Sequence, residues 1–238
     1  MTRTTDEFLR AFEEIKSEVN RRAGTPKSER FDIEAAADRD PAVRGARGLL
    51  VSVRELRNFL QHPRHKSEGH AFHIAEPFLA EVQGLLMRLK NPPTARSVAV
   101  PRKKIRTARP EERLGDLAAD MRLNGFSHLP ILNEKDVVIG VFNEAAVFHH
   151  LWAEAETIIG RDMPIAEILP CCRLDADHTE TFQFVKPNHP LDALIDTFRA
   201  LETPRKRVGA AFVTSSGRRT EPLLGLITPW DVLATKKK

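Results

Sequence analysis

Two short stretches, GFSHLPIL at residues 125–132, which ends in the apolar run LPIL, and VIGVF at residues 138–142, decide the fold of the second half of the chain. Continuous apolar runs of this length are typical of strands that are buried beneath helices. Patterns of helical spacing flank them, at residues 113–123 and 144–152. The sequence therefore predicts the order helix, strand, strand, helix.

The same order occurs a second time further along the chain. A helical stripe at residues 190–201 precedes two apolar runs, VGAAFV at 208–213 and LLGLI at 223–227, and a closing helix is expected to start at Thr228. Each copy alone is too small to bury its apolar faces. The two copies are therefore expected to pack together as an internal repeat.

The first two stretches resemble a CBS repeat (cystathionine β-synthase type), and GLITPWD at residues 225–231 resembles the end of a second one. The resemblance implies a tandem CBS pair, called a Bateman module, with repeats at 98–160 and 161–238. Such modules bind adenine nucleotides, AMP or ATP among them, between the repeats. Through the family's Thr-x-x-Asp motif, it also implies that Thr228 and Asp231 hold the nucleotide.

The residues around this motif are consistent with a nucleotide site. A strand ends at Ile227 and a helix begins, so free N–H groups there could receive a phosphate. A helix-capping box built from Thr228 and Asp231 is the alternative interpretation, and the two roles are compatible.

Further binding residues are expected on the second copy. Arg205 and Arg207, with Lys206 between them, could reach the phosphates, while Gly209 and Ala210 would leave room for the adenine. In the first copy NEAA at residues 143–146 replaces the family motif, so Ala146 stands where the ribose carboxylate is expected. The sequence leaves open whether the ligand is a mononucleotide or a dinucleotide.

The first 97 residues predict an all-helical bundle. Helical patterns cover residues 5–22 and 78–89, and Asp40-Pro41 is a typical start for a helix that runs to His62. Residues 23–40 are interpreted as mostly loop. The predicted fold class is thus α+β and multidomain, with a helical domain at 1–97 followed by two α/β CBS repeats.

Arg57, Asn58 and His62 gather where the helix from Asp40 is expected to stop. At 3.6 residues per turn, Arg57 and His62 lie roughly 140° apart, so one helix does not bring them together. A histidine of near-neutral pKa can accept the proton of a ribose 2′-OH, and an arginine can stabilise the charged phosphate. These groups suffice for RNA cleavage without a metal or cofactor.

LRNFLQH at residues 56–62 resembles the Arg-Asn-x-x-x-His signature of HEPN domains (higher eukaryotes and prokaryotes nucleotide-binding). The resemblance implies a metal-independent endoribonuclease of a toxin, stress or antiviral system, which acts as a homodimer. His62 would be the general base, Arg57 would stabilise the transition state, and Asn58 would orient either group. The products would carry 2′,3′-cyclic phosphate and 5′-OH ends.

A second interpretation makes the chain a non-enzymatic nucleotide sensor. Arg57 would then be a surface cation, and His62 would be a helix-terminal residue that the helix dipole favours. The helical domain would serve dimerisation or partner docking.

Composition favours a globular protein with a modest basic excess. The 238 residues carry 37 basic and 33 acidic side chains, a net charge of +4, which does not by itself establish nucleic-acid binding. Two adjacent cysteines form no disulfide framework and favour a reducing compartment. With no long apolar stretch, we expect a cytoplasmic protein without a membrane partner.

Overall fold

The chain divides into two compact units, Met1–Pro93 with Pro190–Ala193, and Thr94–His189 with Leu194–Lys238. The computed structural model describes residues 3–26, 30–61, 73–153, 159–176, 180–203 and 206–234. The bounds predicted for the three domains stay predictions.

The described part of the first unit is helical. Its helices are α1 (Arg3–Ala23), α2 (Ile33–Arg39), α3 (Pro41–Gly45), α4 (Arg47–Leu60) and α5 (Glu76–Lys90). Phe8, Phe12, Ile15 and Val19 recur at helical spacing along α1, and all four are buried in one apolar core. The helices form because each has one apolar face that only its neighbours can cover.

The helix predicted from Asp40 was wrong in its continuity, and the segment predicted to be mostly loop contains one short helix. Residues 23–40 contain α2, because Ile33, Ala36 and Ala37 bury one face of a short helix in the core. The helix predicted from Asp40 is also interrupted, since α3 ends at Gly45 and α4 starts at Arg47. The cap itself is confirmed, because Asp40 Oδ1 accepts the N–H of Ala42 at 2.8 Å.

The second unit alternates helices and strands. Its first copy contains α6 (Ala95–Val98), β1 (Val100–Pro101), a 3₁₀ turn (Arg102–Lys104), α7 (Leu114–Asn124), β2 (Leu129–Leu132), β3 (Val138–Phe142) and α8 (Glu144–Ala153). After it come α9 (Ile165–Cys172), β4 (Glu180–Val185), α10 (Leu191–Arg199), β5 (Leu201–Thr203), β6 (Lys206–Val213), β7 (Gly225–Ile227) and α11 (Pro229–Ala234). By the division above, α10 begins in the first unit and continues in the second.

The described strands form two sheets. One has the order β1-β7-β6-β4, with β5 also paired to β6, and the other is the antiparallel pair β2-β3. Within the larger sheet β4 runs parallel to β6, whereas β7 runs antiparallel to it. The parallel pairing places the first residue of β4, Glu180, opposite Arg207.

The strand pairs of the two copies correspond residue by residue. Leu129 pairs with Phe142, the last residue of β3, and Ala211 pairs with Ile227, the last residue of β7. Asn143 and Thr228 therefore occupy equivalent places, between a strand and the helix that follows it. By the same register His128 of the first copy corresponds to Ala210 of the second.

The predicted element order is confirmed for both copies, but some elements differ from the prediction. The helix predicted over 190–201 ends at Arg199, and Leu201–Thr203 form strand β5. Helix α9 and strand β4 had no counterpart in the prediction. In β4, Phe182 and Phe184 alternate with polar residues, and this two-residue period is the signal that indicates a strand.

Two leucines of α7 provide a matched test of the second unit's core. Leu117 is fully buried, whereas Leu123 of the same helix is 84% exposed. We expect Leu117→Ala to lower the free energy of unfolding by about 2–5 kcal/mol, because it leaves a cavity. Leu123→Ala should change it by less than about 0.5 kcal/mol. Urea denaturation of the full chain measures both, and equal effects would contradict the described packing.

Candidate functional site

A cavity of about 790 Å³ opens in the second unit where β3 ends and α8 begins. Its lining residues are Ala118, Met121, Arg122, Gly125, Phe126, Ser127, His128, Phe142, Asn143, Glu144, Ala145, Val147 and Glu180. All but the last belong to the first copy, and Glu180 starts β4. The cavity therefore joins the first copy to β4, the strand that pairs in parallel with β6.

Asn143 joins the start of α8 to β4. Its Oδ1 accepts the N–H of Ala146 at 2.8 Å, which caps the helix. Its Nδ2 donates to Oε2 of Glu180 at 3.1 Å. Asparagine suits this position because its amide can accept one hydrogen bond and donate another.

His128 makes a second contact to the same carboxylate. Its Nε2 lies 2.9 Å from Glu180 Oε2, and its Nδ1 lies 2.8 Å from the hydroxyl of Ser127. The imidazole also packs against the ring of Phe182, with the two ring planes at 78° and their centres 6.1 Å apart. The side chains of His128 and Glu180 are 12% and 24% exposed, so the pair is largely shielded from water.

The pKa of Glu180 lies below its usual value. The hydrogen bond from His128 is the largest cause, partial burial opposes it, and the charge on His128 and the hydrogen bond from Asn143 add to it. A carboxyl group with a lowered pKa is ionised at neutral pH. The cavity therefore presents a fixed carboxylate.

Gly209 allows this carboxylate to approach β6. A Cβ at this position would lie 3.0 Å from Glu180 Oε2 and 3.2 Å from His128 Nε2, closer than side chains normally pack. Gly209 was expected to leave room for an adenine. In this structure the side chains of Glu180 and His128 occupy the space beside it.

The other residues expected on β6 take different places. Ala210 is fully buried in an apolar cluster with Phe212 and Leu132. Arg207 is exposed, and its charge is one of the smaller causes that lower the pKa of Glu180. Arg205 lies outside the described residues.

Thr228 and Asp231 contact each other at the start of α11. Asp231 Oδ2 accepts the N–H of Thr228 at 2.7 Å and its hydroxyl at 2.8 Å. This is the return contact of a capping box, in which the third helical residue reaches back to the cap. Neither residue is among the described residues that line the large cavity.

The proposed catalytic residues of the first unit are brought together in part. Arg57 Cζ lies 5.2 Å from the centre of the Phe12 ring, and Nη2 lies 3.4 Å from Glu13 Oε1. Nη1 of Arg57 lies 3.4 Å from Oδ1 of Asn58. His62 lies outside the described residues, so its distance to Arg57 stays untested.

The described ranges lack two kinds of feature. No group of three or more His, Cys, Asp and Glu side chains in this part of the chain is placed to hold a metal ion. None of the described helices is both long enough and apolar enough to cross a membrane.

Solved structures similar to this chain include several with CBS domains. A hemolysin-like protein containing a CBS domain from Oenococcus oeni PSU is 20% identical, over 60% of this chain and 90% of its own, with a TM-score of 0.42. The CBS domain of a bacterial CNNM/CorC family Mg²⁺ transporter in complex with ATP is 21% identical, over 64% and 91%, with a TM-score of 0.42. CBSX2 in complex with AMP is 13% identical, over 60% and 95%, with a TM-score of 0.43.

The family comparison identifies one part of the chain. Residues 95–153 match the family model of the CBS domain, which confirms the resemblance proposed for the first copy. A search of curated proteins gave no match. The CBS identity of the second copy and the HEPN identity of the helical unit stay predictions.

Sequence reasoning missed Ser127, His128 and Glu180. Ser127 and His128 stand inside the stretch that identified the repeat, but their polar character was not interpreted as part of a site. Glu180 lies 52 residues from His128, so no local motif joins them. The available signal was a carboxylate at the first position of an alternating strand.

The lowered pKa of Glu180 makes stability depend on pH in a defined direction. The folded state favours the ionised form of Glu180. The stabilisation of the fold by this carboxylate is therefore fully present above the pKa that Glu180 has in the unfolded chain. It is lost as the pH falls through the pKa of Glu180 in the folded protein. Glu180→Gln should therefore reduce the difference in unfolding free energy between about pH 7 and about pH 3. Urea denaturation at both pH values measures this difference.

The control for the acid experiment is Glu134→Gln, at an exposed glutamate in the turn between β2 and β3. It should keep the wild-type difference. If Glu180→Gln also keeps it, the described His128–Glu180 contact does not contribute to acid sensitivity.

Proposed function

We propose that the second unit binds an adenine nucleotide and that the chain acts as a nucleotide-sensing CBS protein. The observation that carries the proposal is the cavity of about 790 Å³, whose lining residues other than Glu180 lie in the region that matches the CBS family. Its volume falls within the range of small-molecule sites, roughly 300–1,000 Å³. Ligand binding would shift the population of states that the rest of the chain can adopt.

The walls of the cavity suit the parts of a nucleotide. Met121, Phe126 and Val147 supply an apolar lining for a base. The positive end of the α8 helix dipole, at the start of a ten-residue helix, and the guanidinium of Arg122 would favour a phosphate. The first copy therefore becomes the preferred site, although its sequence departs from the family motif.

The site predicted on the second copy is kept as a second nucleotide position. It would use Thr228 and Asp231, with Arg205 and Arg207. Gly209 and Ala210, also predicted there, are covered by Glu180 and His128 and by the apolar cluster respectively. Asp231 Oδ2 already accepts two hydrogen bonds from Thr228, so a ligand there would use its other oxygen or replace these contacts. Replacing these contacts would cost part of the binding free energy, whereas the other oxygen keeps acceptor positions of its own.

Two neighbouring alanines of α7 test the cavity. Ala118 lines it and Ala119 does not, and both are exposed on the same helix. We expect calorimetry on the full chain to detect binding of AMP or ATP. Ala118→Trp should weaken this binding about tenfold or more, a loss of about 1.4 kcal/mol, because the larger side chain fills the cavity. Ala119→Trp should bind as the wild type does.

Each other outcome of this titration has a defined meaning. A wild-type chain that binds neither AMP nor ATP overturns the proposed function. Equal affinity in both tryptophan variants, together with loss of binding in Asp231→Ala, would place the ligand on the second copy instead.

The second candidate function is a metal-independent endoribonuclease in the first unit. The observation that favours it is the adjacency of Arg57 and Asn58 near the end of α4, with the Arg57 guanidinium positioned over Phe12. His62 would remove the 2′-OH proton, Arg57 would stabilise the transition state, and two subunits would contribute to one site. The substrate would be RNA and the partner a second copy of the chain.

RNA cleavage in the presence of a metal chelator tests this second candidate. We expect cleavage that leaves 2′,3′-cyclic phosphate ends, and we expect His62→Ala to reduce its rate about 10²–10⁴-fold, the range for loss of a general base. His73→Ala removes an exposed histidine near the start of α5 and should leave the rate unchanged. Absence of cleavage with and without AMP would leave the non-enzymatic sensor.

A further inference from the structure

The two copies of the second unit differ at the start of the helix that follows their strand pair. In the second copy, the carboxylate of Asp231 contacts the cap residue Thr228 at 2.7 and 2.8 Å. In the first copy, the residue three positions after the cap Asn143 is Ala146, which is buried. The helix of the first copy therefore lacks a carboxylate at the place where the second copy has one.

A carboxylate from elsewhere takes this place. Glu180, at the first position of β4, lies 3.1 Å from the amide of Asn143, the residue equivalent to Thr228. In both copies a carboxylate is thus hydrogen-bonded to the residue that caps the helix. In the first copy the carboxylate comes from the opposite repeat and lies on the wall of the cavity.

We propose that Glu180 binds the ribose hydroxyls of the nucleotide in the first-copy cavity, so that one ligand contacts both repeats. This inference rests on the proposed function. An ionised carboxylate offers about four acceptor positions on its two oxygens, and the described bonds from His128 and Asn143 both go to Oε2. Oε1 carries acceptor positions of its own, which suit a hydroxyl donor of a ribose.

The contacts of Glu180 also fix where the carboxylate lies. His128 and Asn143 hold it from one side, and Gly209 lets it sit close against β6. A pre-positioned acceptor loses little conformational freedom when a ligand binds, so more of the hydrogen-bond free energy appears as affinity. A site that hydrogen-bonds a hydroxyl rejects the analogue that lacks it.

A solely structural role for Glu180 makes a different prediction. If the carboxylate serves only to join the repeats, Glu180→Gln changes the affinity for a ribonucleotide and for its 2′-deoxy analogue by the same factor. If it binds the ribose, the variant loses the discrimination between them. The ratio of the two affinities therefore separates binding from structural support.

The experiment is calorimetry on the full-length chain with AMP and 2′-deoxy-AMP. We expect the wild type to bind AMP about tenfold or more tightly than 2′-deoxy-AMP, in line with a hydrogen bond to a charged group. Glu180→Gln should weaken AMP binding by a similar factor and bring the ratio close to one. Glu134→Gln, on the exposed β2–β3 turn, should keep the wild-type ratio.

Four results would overturn the inference. Equal affinities in the wild type, or an unchanged ratio in Glu180→Gln, would exclude ribose binding by Glu180 while nucleotide binding stands. Loss of the ratio in Asp231→Asn but not in Glu180→Gln would move the ribose to the second copy. A wild type that binds neither AMP nor ATP would overturn the proposed function together with this inference.

Discussion

The carboxylate of Glu180 connects strand β4 to the first copy of the second unit, because its Oε2 accepts hydrogen bonds from both His128 and Asn143. A largely shielded carboxylate is costly without such donors. Its position also depends on the parallel pairing of β4 with β6 and on the missing side chain at Gly209. Strand β4 therefore carries one ionised group that both contacts the cap of α8 and forms part of the wall of the cavity.

The sequence predicted the repeated part of the fold because its signals are local. A few neighbouring residues are enough to recognise the apolar runs at 129–132 and 138–142. The capping residues that follow such runs are recognised in the same way. Helix α2 was missed because its buried face consists of Ile33 and two alanines, a weak apolar stripe. Strand β5 was missed because Leu201 continues the helical stripe of α10 but pairs with Arg207 instead.

The candidate site was harder to predict, because its key contact is not local. Similarity to a family motif directs attention to Thr228 and Asp231, whose contact spans three residues. The contact between His128 and Glu180 spans 52 residues and exists only after β4 has paired with β6. Residue 146 of α8 is an alanine, and the carboxylate near the helix cap comes from Glu180 of β4 instead. Comparing the two repeats position by position reveals the missing carboxylate but not its distant replacement.

The two candidate activities are built from separate sets of residues, one in each unit. Arg57, a candidate of the first unit, contacts Phe12 and Glu13 of α1, whereas the cavity uses β3, α8 and β4 of the second. Loss of either function would therefore leave the other intact unless the units are coupled. Coupling between two binding sites is reciprocal, so a nucleotide that alters RNA affinity must have its own affinity altered equally by RNA. The affinity for the nucleotide with and without RNA, and the affinity for RNA with and without the nucleotide, therefore distinguish the two cases. Both affinities change by the same factor if the sites are coupled, and neither changes if they are independent.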